Sequence, residues 1–144
     1  LVLEINQAGL SWTLMLKKRQ AFQTAFERFD INTVAAFDDT DRERLLADAG
    51  IVRNRLKIDA AIFNARQIQA LQQEYGSFKN WLDAHHPRSK DEWVKLFKKH
   101  FKFVGSEIVG EFLMSTGYLK GAHAESCPVY RKTLKYHPKW LDAV

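Results

Sequence analysis

The segment KLFKKHFKFVGSEIVGEFL, residues 95–113, decides the fold that the sequence predicts. Its apolar residues recur every three or four positions on both sides of a break at residues 101–105, which indicates two amphipathic helices joined by a tight turn. Gly105 allows a close approach of backbone, and Ser106 is the expected N-cap of the second helix. We therefore predict a helix-hairpin-helix over about residues 91–116.

The predicted hairpin is rich in positive charge. Residues 76–144 hold 12 Lys or Arg against 7 Asp or Glu, whereas residues 1–75 hold 10 of each. Lys98, Lys99 and Lys102 flank the turn, and the start of a helix offers free N–H groups and a positive dipole end to a phosphate. This pattern is typical of binding to a DNA backbone. On charge alone, a solvated lysine-rich helix face with no ligand is the more common explanation.

The rest of the chain follows the same helical periodicity. No segment alternates apolar and polar residues over the length of a strand, and the sequence contains no Asn-Gly turn. We therefore expect one compact all-α domain over residues 1–144. The predicted helices cover residues 12–29 with Ser11 as N-cap, 33–37, 41–47, 53–75 ended by Gly76, a short turn at 78–82, 91–99 and 106–116.

Composition limits the class of protein. The chain is 46% hydrophobic, which is enough for a core, and it holds no apolar run of the roughly 18–20 residues that a membrane helix needs. A single cysteine excludes an internal disulfide framework, so we expect an intracellular, cytoplasmic protein without a membrane partner. The sequence begins with LVLEINQAGL and not with Met, and this pattern is typical of the inside of a helix. We therefore expect that an upstream segment is missing.

The segment LEINQAGLSW, residues 3–12, places the carboxylate of Glu4 in an apolar stretch eight residues before Trp12. A buried carboxylate needs a partner or takes up a proton. Beside an aromatic ring in a pocket, it could accept hydrogen bonds from a nucleobase. The alternative is that Glu4 faces solvent and Trp12 belongs to the core, and periodicity alone favours that alternative. Gly9 and Leu10 predict a bend with an apolar tip.

The segment GAHAESCPVY, residues 121–130, contains His123 and Cys127, the latter being the only cysteine of the sequence. A histidine and a cysteine four positions apart are the donor types of half a zinc site, which we place in the loop 121–128. A surface loop with an inert thiol explains the same residues without a metal.

Five segments occur together in this order over residues 1–130: LEINQAGLSW, LKKRQAFQTAFERFD, DAGIVRNRLKIDAAIFNAR, FKFVG and the His-x3-Cys pair. In this combination the chain resembles the DNA-3-methyladenine glycosylase I family of the helix-hairpin-helix glycosylase superfamily. The resemblance implies an all-helical fold and a base-excision repair activity. Members of that family hydrolyse the N-glycosidic bond of 3-methyladenine in DNA after the base has been flipped out.

The resemblance also implies roles for individual residues. Glu4 would be the catalytic carboxylate that contacts the flipped base, and Trp12 would stack on that base. Phosphates would be held by backbone N–H groups of the hairpin and by Lys102. The DNA-binding residues implied in this way are Gly9, Leu10, Lys98, Lys99, Phe101, Lys102, Gly105 and Ser106. The expected partner is double-stranded DNA with an alkylated adenine, and the expected state is a monomer without a nucleotide cofactor or a catalytic metal.

In the family, a structural zinc ion is held by two residues near each end of the chain. The resemblance therefore implies that His123 and Cys127 are two of four zinc ligands, with the other two expected upstream of Leu1. The sequence departs from the family at His100, where the hairpin usually carries Gly. Like the family, it lacks the catalytic Asp of other superfamily members, and we assign no catalytic role to Glu107 or Glu111.

Two other classes of function remain open from the sequence. One is a helix-hairpin-helix module that binds DNA without excising a base. The other is a helical domain that binds a protein partner. Phosphate contacts make affinity fall steeply with salt, so the salt dependence of binding distinguishes DNA from a protein partner.

Overall fold

The computed structural model describes residues 1–7 and 10–143, and these residues form helices and turns without a strand. The all-α prediction is confirmed. The helices are α1 (Val2–Gln7), α2 (Trp12–Ala25), α3 (Ile31–Ala35), α4 (Asp39–Ala47), α5 (Arg55–Tyr75), α6 (Phe78–His85), α7 (Lys90–His100), α8 (Ser106–Ser115) and α9 (Pro128–Leu134), with 3₁₀ turns at Glu27–Phe29 and Lys139–Ala143. Within the described part of the chain, none of these helices is long and apolar enough to cross a membrane.

Capping side chains explain where the principal helices begin and end. The Ser11 side chain accepts a hydrogen bond from the Leu14 N–H at 3.2 Å and starts α2, as predicted. Ser89 and Glu92 form a reciprocal capping box at the start of α7. Gly76 ends α5 with a φ of +89°, a backbone conformation that glycine adopts without steric cost.

The 21-residue helix α5 joins two hydrophobic clusters. Ile58 and Ile62 pack into a first cluster with α2, α3 and α4, whereas Leu71 belongs to a second cluster with α6, α7 and α8. The N-terminal segment bridges them, because Leu3 of α1 packs against the first cluster and Leu1, which precedes α1, packs against the second. This arrangement places α1 at the junction of the two clusters.

One part of the predicted helix pattern is wrong. The helix predicted over 12–29 ends at Ala25, because the backbone at residues 27–29 takes positive φ angles that an α-helix cannot contain. The sequence did not decide the structure of the segment 130–144, and this segment contains most of α9 and the last 3₁₀ turn. Contacts distant in sequence hold it: the Trp140 N–H donates to the Gly117 carbonyl at 3.0 Å, and the Trp140 ring stacks on Tyr130.

Candidate active site and DNA interface

A cavity of about 710 Å³ opens at the junction of the two clusters. This volume is within the usual range for small-molecule sites. Its lining is mainly apolar and aromatic, and α1, α2, α3, α5, α6 and α8 all contribute to it. The lining includes the polar side chains of Glu4 and Asn64 and the rings of Trp12, Phe29, Phe78 and Phe112.

Glu4 brings a carboxylate to this apolar cavity. Its side chain is half-buried on α1, and burial raises the pKa of that carboxyl above the ordinary value of a glutamate. The nearby terminal amino group opposes this rise, and the negative charge of Glu111 adds to it. A cationic ligand in the cavity would stabilise the ionised form of Glu4, whereas a neutral ligand would not.

Trp12 supplies a ring at the cavity. Its side chain is 43% exposed at the start of α2, so the ring is not enclosed in the core as the alternative interpretation required. Stacking of a nucleobase on an aromatic side chain contributes about 1–3 kcal/mol. The cavity therefore combines a carboxylate with an accessible ring, the two groups to which the family resemblance gives a role at the base, and their contact with a base stays a prediction.

Helix α1 is too short to be stable alone, and three contacts hold it in place. Ile5 is buried in the protein interior. The Asn6 side chain donates to the Val2 carbonyl within the helix, and the buried Lys57 ammonium donates to the Asn6 carbonyl at 3.4 Å. The Lys57 bond joins α1 to α5, and together with the burial of Ile5 it fixes the position of Glu4.

The bend after α1 carries Leu10, which is partly buried against the first cluster. Both backbone groups of Leu10 bond to Gln7. Gly9, the other residue predicted to enter a DNA gap, lies outside the described residues. The bend at Leu10 is therefore observed, and its contact with DNA stays a prediction.

The predicted helix-hairpin-helix corresponds to α7, a five-residue turn and α8. Lys98 and Lys99 are exposed in the last turn of α7, and Lys102 is exposed in the connecting turn. Gly105 is the N-cap of α8, and it leaves the first N–H groups of that helix without a side-chain partner. Apart from the neighbouring residues of the chain, nothing lies within 4 Å of where a Gly105 side chain would begin.

Three predictions at the hairpin need correction. Ser106 does not cap α8, because it is the first residue of the helix and Gly105 takes the cap position. Phe101 is 4% exposed and its N–H donates to the Phe97 carbonyl, so neither its ring nor its N–H is available to DNA. The Lys102 N–H donates to Asn64 Oδ1, which leaves only the Lys102 side chain for a phosphate.

Comparison with known proteins identifies the family. The methyladenine glycosylase family matches residues 1–93. The DNA-3-methyladenine glycosylase 1 of Escherichia coli (strain K12) is 37% identical over an alignment 147 positions long. The alignment covers 89% of this chain and 78% of that protein. This chain belongs to the methyladenine glycosylase family.

Solved structures agree with this membership of the methyladenine glycosylase family. A crystal structure of 3-methyladenine DNA glycosylase I superposes with a TM-score of 0.78 at 36% identity, covering 88% of this chain and 80% of the other. A structure that describes 3-methyladenine recognition by the Staphylococcus aureus enzyme gives a TM-score of 0.78 at 32% identity, covering 88% of this chain and 77% of that one.

His100, the departure from the family pattern, is accommodated without strain. It is the last residue of α7, and its backbone does not take the positive φ that would require glycine. Its ring packs edge-on against Trp81 with 5.3 Å between centroids. Burial there lowers the pKa of His100. This chain therefore carries a ring in contact with the core at the position where the family resemblance implied glycine.

The zinc prediction concerns His123, which is exposed, and Cys127, which precedes α9. The described residues contain no group of three or more histidine, cysteine or acidic side chains that could hold a metal ion. The pair alone does not make the four-ligand site that structural zinc requires. The zinc roles of His123 and Cys127 stay a prediction, which metal analysis of the purified protein would test.

Sequence reasoning missed the residues that connect the two parts of the site. Asn64 lines the cavity and bonds to the hairpin turn, and Gln7 holds the bend at Leu10. A signal for Asn64 was present, since it is a polar residue on the face of α5 that otherwise carries Ala61 and Ala65. The three phenylalanine rings of the cavity had no such signal, because their periodicity is that of ordinary core residues.

Proposed function

We propose that this chain is a DNA glycosylase that removes 3-methyladenine from double-stranded DNA. One observation carries the proposal: Glu4, with a raised pKa, and the accessible ring of Trp12 line the same apolar cavity. The cavity has the size and lining for a flipped base, and the family and its named relatives act on the same class of substrate.

The chemistry of the lesion explains why a carboxylate suffices. Methylation at N3 makes the adenine cationic, so the glycosidic bond breaks with its electron pair moving to the base, which leaves neutral. Water then adds to C1′ of the sugar and loses a proton. Glu4 favours the cationic base over normal adenine by charge, and Trp12 binds the face of either base by stacking. The selectivity for the damaged base thus comes from the charge of Glu4, to which the cation–π attraction of the Trp12 ring adds.

The open N-terminus of α8 is the proposed phosphate site. Its uncapped N–H groups and positive dipole end suit an anion, and the ammonium groups of Lys98, Lys99 and Lys102 add positive charge around the turn. Contacts of this kind position the duplex without reading its sequence. Leu10 is proposed to enter the space that the flipped base leaves. The monomeric state and the intracellular location expected from the sequence stay predictions.

Release of 3-methyladenine from alkylated duplex DNA tests the proposed activity. Release above that of a heat-denatured sample supports it, whereas duplex binding without release would leave the non-catalytic DNA-binding module as the function. Affinity for the duplex is measured from low to moderate salt, and an affinity that does not change with salt would favour a protein partner.

A charge-matched pair of variants tests the place of DNA binding. Each lysine that neutralises a phosphate contributes roughly 0.9 to the slope of log affinity against log salt. Replacing Lys98, Lys99 and Lys102 by alanine is therefore expected to flatten the slope by up to about 2.7. The control replaces three exposed cations of the C-terminal region by alanine, namely Arg131, Lys132 and Lys135. Equal effects of the two triple variants would contradict binding at the hairpin.

A further inference from the structure

Asn64 is a buried polar residue that ties the hairpin turn to α5. Its side chain is 4% exposed, and its amide makes two hydrogen bonds to the backbone of Lys102, 38 positions away in sequence. The Lys102 N–H donates to Asn64 Oδ1 at 2.8 Å, and Asn64 Nδ2 donates to the Lys102 carbonyl at 3.1 Å. The amide therefore fixes both polar groups of one residue of the turn.

The preceding residue of α5 holds the side chain of the same lysine. The Lys102 ammonium lies 4.3 Å from the centroid of the Phe63 ring, which is a cation–π distance. Two consecutive residues of α5 therefore fix the backbone and the charged end of Lys102. This second contact is independent of the Asn64 hydrogen bonds.

Asn64 also lines the cavity that contains Glu4. Lys102 is three residues before Gly105, the open cap of α8. One turn of α5 thus contacts both the base cavity and the turn that precedes the proposed phosphate site. The Asn64 side chain therefore both lines the cavity and anchors the hairpin turn.

We propose that Asn64 is a positioning residue that sets the spacing and orientation between the base cavity and the phosphate site at the start of α8. The proposal rests on the proposed function, because it gives both sites roles in one reaction. A base must leave the duplex and enter the cavity while the backbone is held, so a loose connection between the sites lowers the fraction of bound DNA with the base in place.

The experiment compares Asn64→Ala with Gln69→Ala. Gln69 is a suitable control because it is also on α5 and its amide bonds to another helix, donating to Asn32 Oδ1 at 2.9 Å, and neither residue lines the cavity. Four quantities are measured for each protein at a temperature where it is folded. They are affinity for undamaged duplex at several salt concentrations, affinity for free 3-methyladenine, the single-turnover rate of excision, and thermal stability.

Asn64→Ala is expected to weaken duplex binding about tenfold and to flatten its salt dependence, since two backbone groups of the turn lose their partners. Excision is expected to fall at least as much, while affinity for the free base changes less than twofold. Gln69→Ala should leave duplex affinity, salt slope and excision at parent values. A loss of thermal stability alone, with duplex affinity and salt slope retained, would overturn the proposal.

Asn64→Asp keeps the inference testable if Asn64→Ala does not fold. The carboxylate retains the acceptor for the Lys102 N–H but places an oxygen against the Lys102 carbonyl, so amide exchange at Lys102 should become faster than in the parent while duplex affinity falls. Gln69→Glu controls for the added negative charge. Equal duplex affinities of these two acidic variants would also overturn the proposal.

Measuring 3-methyladenine release by the parent protein distinguishes a failure of the proposed function from a failure of this inference. Absence of 3-methyladenine release by the parent counts against the glycosylase activity. Duplex affinity and salt slope can still be compared between Asn64→Ala and Gln69→Ala in that case. Their difference would support the positioning of the phosphate site by Asn64, and their equality would contradict it.

Discussion

Gln7 and Leu10 hold each other across the bend that follows α1. The Leu10 N–H donates to the Gln7 carbonyl at 2.7 Å, and Gln7 Nε2 donates to the Leu10 carbonyl at 2.8 Å. The backbone at Leu10 is therefore fixed from both sides. The first of these hydrogen bonds joins two backbone groups, and the second uses the side chain of Gln7.

Gln7→Ala is expected to slow excision from duplex DNA by about 2- to 10-fold, because a part-buried neutral hydrogen bond contributes about 0.5–1.5 kcal/mol. The measurement is the single-turnover rate of 3-methyladenine release. Binding of the free base should be unchanged, since Leu10 is outside the cavity. Gln20→Ala, at an exposed position of α2, is the control. An unchanged excision rate in Gln7→Ala would show that the fixed bend does not contribute.

Phe103, in the hairpin turn, has a backbone conformation that is unfavourable for phenylalanine and better tolerated by asparagine. Phe103 is 41% exposed and has a φ of +59°, a conformation that costs a non-glycine residue about 1–3 kcal/mol. We expect Phe103→Asn to be at least as stable as the parent, because Asn tolerates this region, and Phe103→Val to lose about 1 kcal/mol. Urea unfolding measures both, and the opposite order of stabilities would refute the assigned backbone conformation.

The raised pKa of Glu4 predicts the pH dependence of activity. The ionised carboxylate is the form that favours a cationic base, so kcat/KM for excision should fall as the pH drops through the pKa of Glu4 in the free enzyme. The midpoint should lie above 4.5, the ordinary value for a glutamate. The profile of Glu4→Gln should lack this acid limb. An identical acid limb in both proteins would assign it to another group.

Protonation of Glu4 should have opposite effects on stability and on activity, because the folded protein favours the protonated form of this carboxyl. The folded protein binds the Glu4 proton more tightly than the unfolded chain, so the free energy of unfolding decreases as the pH rises from the unfolded-state pKa through the raised folded-state pKa. Above that range the difference is constant. Comparing Glu4→Gln with the parent by urea unfolding across this range isolates the contribution of the carboxyl group.

Local signals in the sequence predicted the helices well. Side-chain caps such as Ser11 and the glycine at position 76 act on adjacent backbone, so they mark helix ends correctly. The apolar face of α5 was likewise correct, since Ile58, Ile62 and Leu71 are buried. Each of these features depends on residues within one or two helical turns.

The remaining features depend on contacts between distant segments. Periodicity does not show that the Lys102 N–H is bonded to Asn64, whereas the family resemblance implied that N–H groups of the hairpin hold phosphates. Helix α9 and the last 3₁₀ turn are held by contacts with Gly117 and among their own rings, and the sequence left the structure of residues 130–144 open. The presence of Glu4 and Trp12 in one cavity agrees with the family resemblance, whereas periodicity alone favoured a solvent-exposed Glu4.

Glu4→Gln gives the most direct test of the role of the carboxylate, since the amide has the same shape without the charge. Single-turnover release of 3-methyladenine and affinity for undamaged duplex are measured for this variant beside the parent. Loss of a charged hydrogen bond of about 1.5–3 kcal/mol predicts release that is slower by roughly 10- to 100-fold, with duplex affinity changed less than about twofold. Release at the parent rate, or equal losses of release and duplex binding, would contradict the assignment of Glu4 to the damaged base.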